Sequence, residues 1–172
     1  IGKVLYLQDD TTEVRYFYRH SMSHVLAQAV KRLYPTAKLA IGPAIKDGFY
    51  YDFDVEKPFT PEDLEKISKE MDKIISEKHH FKRKSLTAEE ATRLIEAIDE
   101  PYKAEILNDI KGRGESISFY EDGDFVDLCA GPHVPSTGYV KNFKLLEVAG
   151  AYWKGREDNK MLQRIYGTAF YN

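Results

Sequence analysis

Apolar residues recur at helical spacing through Met22, Val25, Leu26, Ala29, Val30 and Leu33, and Pro35 ends the run. The spacing predicts an amphipathic helix over about residues 19–34. Ahead of it, the runs 4–7 and 14–18 flank Asp9-Asp10-Thr11-Thr12, a pattern that predicts two strands joined as a hairpin. Short strands are expected at 38–41 and 49–53, punctuated by Gly42-Pro43 and Asp47-Gly48.

Thr60 caps the next run, with Pro61 at its first helical position and Asp63 in its first turn. Leu64, Ile67, Met71, Ile74 and Ile75 supply that helix's buried stripe, and His79 and His80 are expected at its end. Thr87 with Glu90 is a capping box that opens a second helix, and Pro101 opens a third carrying Lys103, Ile106, Leu107 and Ile110. Beyond Gly112 and Gly114 the period falls to two. Residues 117–120 and 125–129 then read as a hairpin around Asp122-Gly123, followed by strands at 143–148 and 161–166. Helices and strands come in blocks, which predicts an α+β fold: a largely antiparallel sheet packed with helices around a cleft.

The 172 residues suit one domain, or one with a small appendage, and 42% hydrophobic residues supply a core. No apolar run is long enough to cross a bilayer, and Ile1-Gly2-Lys3 opens without a leader or a starting Met, as a piece of a longer chain would. A net charge of −3 excludes a protein that coats nucleic acid non-specifically, so any RNA contact must be local. The single cysteine, Cys129, cannot form an internal disulfide, which fits a reducing cytoplasm.

His20 and His24 lie one helical turn apart and share a face. Cys129 and His133 have the same spacing, but Gly131-Pro132 between them forbids a helix and sets them at a strand end and its loop. In a strand, Asp127 shares a face with Cys129 and Phe125, opposite Val126 and Leu128. Three imidazoles and a thiol suit either a tetrahedral metal site or acid–base chemistry. Each piece has a plainer reading as well. A histidine pair on a helix is commonly coincidence, Cys129 alone reads as a small buried hydrophobe, and Asp127 as a turn cap. His79 and His80, beside Lys78 and Lys82, read as cations near a helix C-terminus. By spacing alone Lys103 is a solvated helix lysine, Tyr51 a core aromatic beside Phe49 and Phe53, and Lys82-Arg83-Lys84 a solvated face.

His20-Ser21-Met22-Ser23-His24 and Asp127-Leu128-Cys129-Ala130-Gly131-Pro132-His133 resemble the paired signatures of the threonyl- and alanyl-tRNA synthetase editing domain. Ile41-Gly42-Pro43, Gly48-Phe49-Tyr50-Tyr51-Asp52, Ala149-Gly150-Ala151-Tyr152-Trp153 and Leu162-Gln163-Arg164-Ile165-Tyr166-Gly167-Thr168 resemble the bacterial-type threonyl branch. The resemblance covers about residues 19–170. It divides the chain into residues 1–18, as N-terminal strands or a linker, and an editing domain over 19–172 that ends at the junction to an aminoacylation domain. Ala130 departs from the pattern, standing where the family commonly has Arg.

The resemblance implies hydrolysis of seryl-tRNA(Thr). Serine and threonine differ by one methyl group, worth only about 1–3 kcal/mol in a pocket, so a second site must remove misattached serine. It implies His20 and Lys103 as the catalytic pair around the attacking water, and Tyr51 as the wall that excludes the extra methyl. It gives Asp127 as partner of the seryl ammonium or hydroxyl, and His24, Cys129 and His133 as substrate-binding groups. It implies no metal for editing, although the alanyl relatives bind zinc and His20, His24, Cys129 and His133 would be the ligands. It further implies the acceptor end of tRNA(Thr) as partner, no membrane, and aminoacylation and anticodon-binding domains in an ATP-binding full-length cytoplasmic homodimer. Lys82-Arg83-Lys84 could then touch tRNA phosphates. Three rivals remain at this stage: a structural zinc module, a non-catalytic accessory module fused to another enzyme, and a hydrolase using Cys129 as nucleophile.

Overall fold

The computed structural model describes residues 4–170. The order is α1 (Thr12–Leu33), β1 (Lys38–Leu39), β2 (Ala44–Ile45), β3 (Gly48–Asp54), α2 (Pro61–Glu77), β4 (Lys82–Leu86), α3 (Ala88–Ile98), α4 (Pro101–Arg113), β5 (Ile117–Asp122), β6 (Phe125–Leu128), β7 (Asn142–Tyr152) and β8 (Met161–Phe170). Two antiparallel sheets result: β1-β3-β8-β7, with β2 also paired to β3, and β4-β5-β6. This is the expected α+β architecture.

The expected N-terminal hairpin does not form. Thr11 accepts from the Val14 backbone N–H at 3.2 Å and starts α1 at Thr12, so the expected strand 14–18 is helix, and no strand forms at 4–7. Val14, Phe17 and Tyr18 have strand propensity, yet they extend the helical spacing of Met22 and Val25 backwards; Val14 is buried, and Phe17 and Tyr18 pack against the main core. The break at residue 18 therefore falls inside a helix. Nor is α1 amphipathic along its middle: residues 21–30 are all buried, including Ser23, His24 and Gln28. A helix enclosed by α2 and the larger sheet has no wet face there, so its polar residues are committed to internal partners.

α2 and α3 begin with the capping boxes of Thr60–Asp63 and Thr87–Glu90. α2 stops at Glu77 and Lys78 caps it in the left-handed region, so His79 and His80 lie beyond the helix. The basic run 82–84 belongs to β4, an outer strand not expected from the sequence.

One core holds Met22, Leu26, Phe49, Phe53, Ile67 and Met71 between α1, α2 and the larger sheet. A second joins α3 and α4 to the smaller sheet through Ile95, Leu107 and Phe119. Strand alternation connects them: Phe125 faces the first core while Val126 and Leu128 face the second. The residues on the Phe125 side of β6 therefore look toward α1. None of the helices is long and apolar enough to cross a membrane among the described residues.

Candidate active site

The His20 end of α1, the β3 wall, the start of α4 and the end of β6 enclose a cavity of about 360 Å³. It is lined by His20, His24, Tyr51, Lys103, Asp127 and Cys129, six of the seven site residues expected from the sequence. The seventh, His133, stands behind His20 with the rings stacked 4.4 Å apart. A larger groove, about 820 Å³, runs between α2 and β7, but its lining has no imidazole or thiol.

Lys103 is buried because four hydrogen bonds tie down the start of α4. Buried Glu100 accepts from Lys31 Nζ at 2.7 Å and from the Leu39 backbone N–H at 2.8 Å. Tyr102 donates to Asp54 at 2.7 Å, and Trp153 Nε1 donates to Glu105 at 2.6 Å. So held, the helix aims Lys103 Nζ at Asp127 Oδ1, 2.8 Å away, with Lys103 and Asp127 each 5% exposed. The plain reading of Lys103 as a solvated helix lysine does not hold.

Asp127 Oδ2 accepts from the Tyr51 hydroxyl at 2.9 Å. Burial raises the Tyr51 pKa well above its ordinary value, with Asp127 adding to the effect, so the phenol keeps its proton and its hydrogen bond. The ring lies where a side chain at residue 42 would be: a Cβ on Gly42 would sit 1.9 Å from Tyr51 Cδ2. Glycine at 42 thus lets the Tyr51 wall stand against the cavity.

His24 is not turned toward the other imidazole nitrogens. Its Nε2 pairs with Asp122 Oδ1 at 3.1 Å, and its Nδ1 lies 3.8 Å from Asp127 Oδ2. Burial raises the Asp122 pKa, and the hydrogen bond from His24 opposes that shift. The sequence marks Asp122 only as part of a turn, whereas it ends β5. Strand alternation places it on the same face as Tyr120, and that was the available signal.

The remaining groups form one chain of hydrogen bonds. His20 Nδ1 donates to Pro132 O at 3.1 Å, since a carbonyl can only accept, and this leaves Nε2 as the acceptor. Cys129 Sγ lies 3.4 Å from His20 Nε2 and 3.4 Å from His133 Nε2, and receives the Gly131 backbone N–H at 3.3 Å. Ser21 Oγ accepts from the Val134 backbone N–H at 3.0 Å and donates to His133 Nδ1 at 3.0 Å. The consistent assignment runs Ser21 O–H to His133, His133 N–H to sulfur, and sulfur S–H to His20. Ser21 orients His133, a role not seen in the sequence although it adjoins His20.

Electrostatics agree with this neutral chain. Burial lowers the His20 pKa, opposed by its bond to Pro132 O, and drives that of His133 far down, with His24 and His20 adding to the effect. Burial also pushes the Cys129 thiol up to about 12, reinforced by Asp127. Near neutral pH His20 is an unprotonated base and Cys129 a thiol, not a thiolate nucleophile.

Three of the four zinc ligands considered above converge. One ligand atom from each of His20, Cys129 and His133 lies within 4.8 Å of the others. His24 is committed to Asp122, so these residues do not form a closed four-ligand site.

Residues 117–166 match the family described as "Threonyl and Alanyl tRNA synthetase second additional domain". The threonine–tRNA ligase of Acetivibrio thermocellus is 68% identical over 153 residues, covering 89% of this chain and 24% of that protein. That of Clostridium tetani is 65% identical over 161 residues, covering 94% and 25%. That of Caldanaerobacter subterraneus subsp. tengcongensis is 59% identical over 169 residues, covering 98% and 26%. The chain thus spans about a quarter of the length of these curated relatives. With the match beginning on β5 and running through β6, whose Asp127 and Cys129 line the cavity, the chain belongs to the threonyl- and alanyl-tRNA synthetase second additional domains, in their threonine–tRNA ligase branch.

Proposed function

We propose that this domain hydrolyses seryl-tRNA(Thr), removing serine from the 3′ end of a wrongly charged tRNA. One observation carries the reading: a neutral imidazole and a buried lysine–carboxylate pair line the same cavity, which is walled by the anchored ring of Tyr51.

The ester carbonyl of the seryl group enters between His20 and Lys103. A water displaces the Cys129 S–H from His20 Nε2 and gives that nitrogen a proton as its oxygen attacks the carbonyl carbon. The Lys103 ammonium, 2.8 Å from Asp127, stabilises the oxyanion of the tetrahedral intermediate. The bond from carbon to the ribose oxygen then breaks. The ribose oxygen takes the proton back from His20, leaving free serine and an intact tRNA end. Asp127 aligns Lys103 and Tyr51, and, since a carboxylate offers about four acceptor sites, it can also take the seryl ammonium. His24 completes the polar wall, and His133 backs the His20 ring.

Selectivity comes from shape. Tyr51 is 2% exposed, its ring stacked on Phe53 and pressed against Gly42, so it cannot yield to a β-methyl without disrupting the packing that holds the ring.

The reading needs no metal. A zinc ion held by His20, Cys129 and His133 would supply Lewis-acid polarisation, but it would require the Cys129 thiolate. In the full-length protein the tRNA, the aminoacylation and anticodon-binding domains and a second subunit are the expected partners. The test is deacylation of seryl-tRNA(Thr) by this chain and by its His20→Ala and Lys103→Met variants. Wild-type hydrolysis that falls at least about a hundredfold in both supports the scheme. Unchanged rates in both variants exclude it.

A further inference from the structure

The basic run 82–84 is sorted by the pleat of β4. Arg83 pairs with Tyr120, and Tyr120 with Asp127, so these three side chains share one face of the smaller sheet. That face is the one turned to the cavity. Asp127 lines the cavity, and the Tyr120 ring packs 4.5 Å from that of His133. The Tyr120 hydroxyl lies so close to Gly131 that a Cβ there would approach it to 2.2 Å. Lys84 has the opposite orientation. It pairs with Phe119, which lies in the α3–α4 core, and its Nζ bonds Glu121 at 2.6 Å. Lys82 pairs with Glu121 and belongs to that far face as well.

Arg83 is exposed and makes no ion pair or side-chain hydrogen bond among the described residues. The cavity lining contains one lysine or arginine, Lys103, and it is buried against Asp127. A polyanionic strand whose end enters the cavity must therefore find its cations outside. Strands about 4.8 Å apart put the Arg83 backbone roughly 10 Å from that of Asp127 across the sheet, within reach of the cavity rim for a long side chain. The planar guanidinium suits phosphate oxygens better than an ammonium does.

We propose that Arg83 binds a backbone phosphate of the RNA strand whose 3′ end occupies the cavity, while Lys82 and Lys84 take no part. The proposal rests on the function proposed above. Of the three cations adjacent in sequence, strand geometry delivers one to the substrate side.

The test compares Arg83→Ala, Arg83→Lys and Lys82→Ala in hydrolysis of seryl-tRNA(Thr), and in binding of uncharged tRNA(Thr) across a salt series. Arg83→Ala is expected to raise KM about five- to tenfold with kcat unchanged, and to reduce the slope of log affinity against log salt by about 0.7–0.9. Arg83→Lys is expected to keep the wild-type slope, and Lys82→Ala to change neither KM nor slope. Seryl-adenosine, which carries no phosphate, is expected to be hydrolysed equally by wild type and Arg83→Ala. Arg83→Ala and Lys82→Ala behaving alike in both assays would overturn the proposal. Absence of seryl-tRNA hydrolysis by the wild type, with the Arg83 effect on RNA binding intact, would instead overturn the hydrolytic reading and leave the RNA contact standing.

Discussion

Lys103 Nζ and Asp127 Oδ1 lie 2.8 Å apart with both residues 5% exposed, joining α4 to β6 at the floor of the cavity. Removing one partner of such a pair leaves an uncompensated buried charge, at a cost of about 3–5 kcal/mol. Asp127→Asn is therefore expected to lower the unfolding free energy by about that amount in urea titration. It should also lower the deacylation rate at least about a hundredfold, because Lys103 loses its alignment.

Acid should weaken the fold through His20 and His133. Burial lowers both pKa values, so in the folded chain these rings resist protonation that the unfolded chain accepts at about pH 6.5. Between the folded and unfolded values the unfolded state binds more protons, so stability is fully present above about pH 6.5 and falls as pH drops below it. Urea unfolding at pH 7, 6 and 5 is expected to give a declining free energy, with a shallower decline in a His133→Asn variant. Deacylation per folded molecule should hold its plateau through pH 6.5 and lose rate only at lower pH, because burial delays protonation of folded His20.

Tyr51 should separate stability from selectivity. Tyr51→Phe removes the bond to Asp127, worth about 1.5–3 kcal/mol for a charged acceptor, but keeps the ring in place. It should be less stable yet still reject threonyl-tRNA(Thr). Gly42→Ala drives a methyl into the ring, which must move. It is expected to cost about 1–3 kcal/mol and to raise hydrolysis of threonyl-tRNA(Thr) relative to the seryl ester.

Cys129 should be dispensable as a nucleophile. Its thiol, pushed up to about 12, is protonated at neutral pH, and the proposed route forms no acyl-enzyme. Cys129→Ala is expected to keep the deacylation rate within about tenfold of wild type, and a zinc chelator to leave the wild-type rate unchanged. Abolition by Cys129→Ala, with a trapped seryl thioester in the wild type, would favour the cysteine-hydrolase reading.

Much of this was legible in the sequence wherever the signal was local. The cap at Thr60, the box at Thr87, the hairpin at Asp122-Gly123 and the alternation that turns Asp127 and Cys129 one way follow from spacings of a few residues. The start of α1 is hidden in the sequence because Val14, Phe17 and Tyr18 favour strands and the Thr11 cap sits in a turn-like run. β4 escaped because a run of Lys, Arg, Lys and Ser carries no apolar alternation; its pairing with β5 makes it a strand. The burial of Lys103, the pairing of His24 with Asp122 and the anchoring of His133 by Ser21 join residues from 24 to 112 positions apart. No local periodicity encodes such pairs.

Discrimination between two esters at one cavity underlies the proposed function. The most direct measurement offers this chain seryl-tRNA(Thr) and threonyl-tRNA(Thr) separately and follows release of each amino acid over time. Rapid loss of serine is expected, with threonyl-tRNA(Thr) left intact. Equal hydrolysis of the two esters would contradict the Tyr51 sieve, and hydrolysis of neither would contradict the catalytic reading.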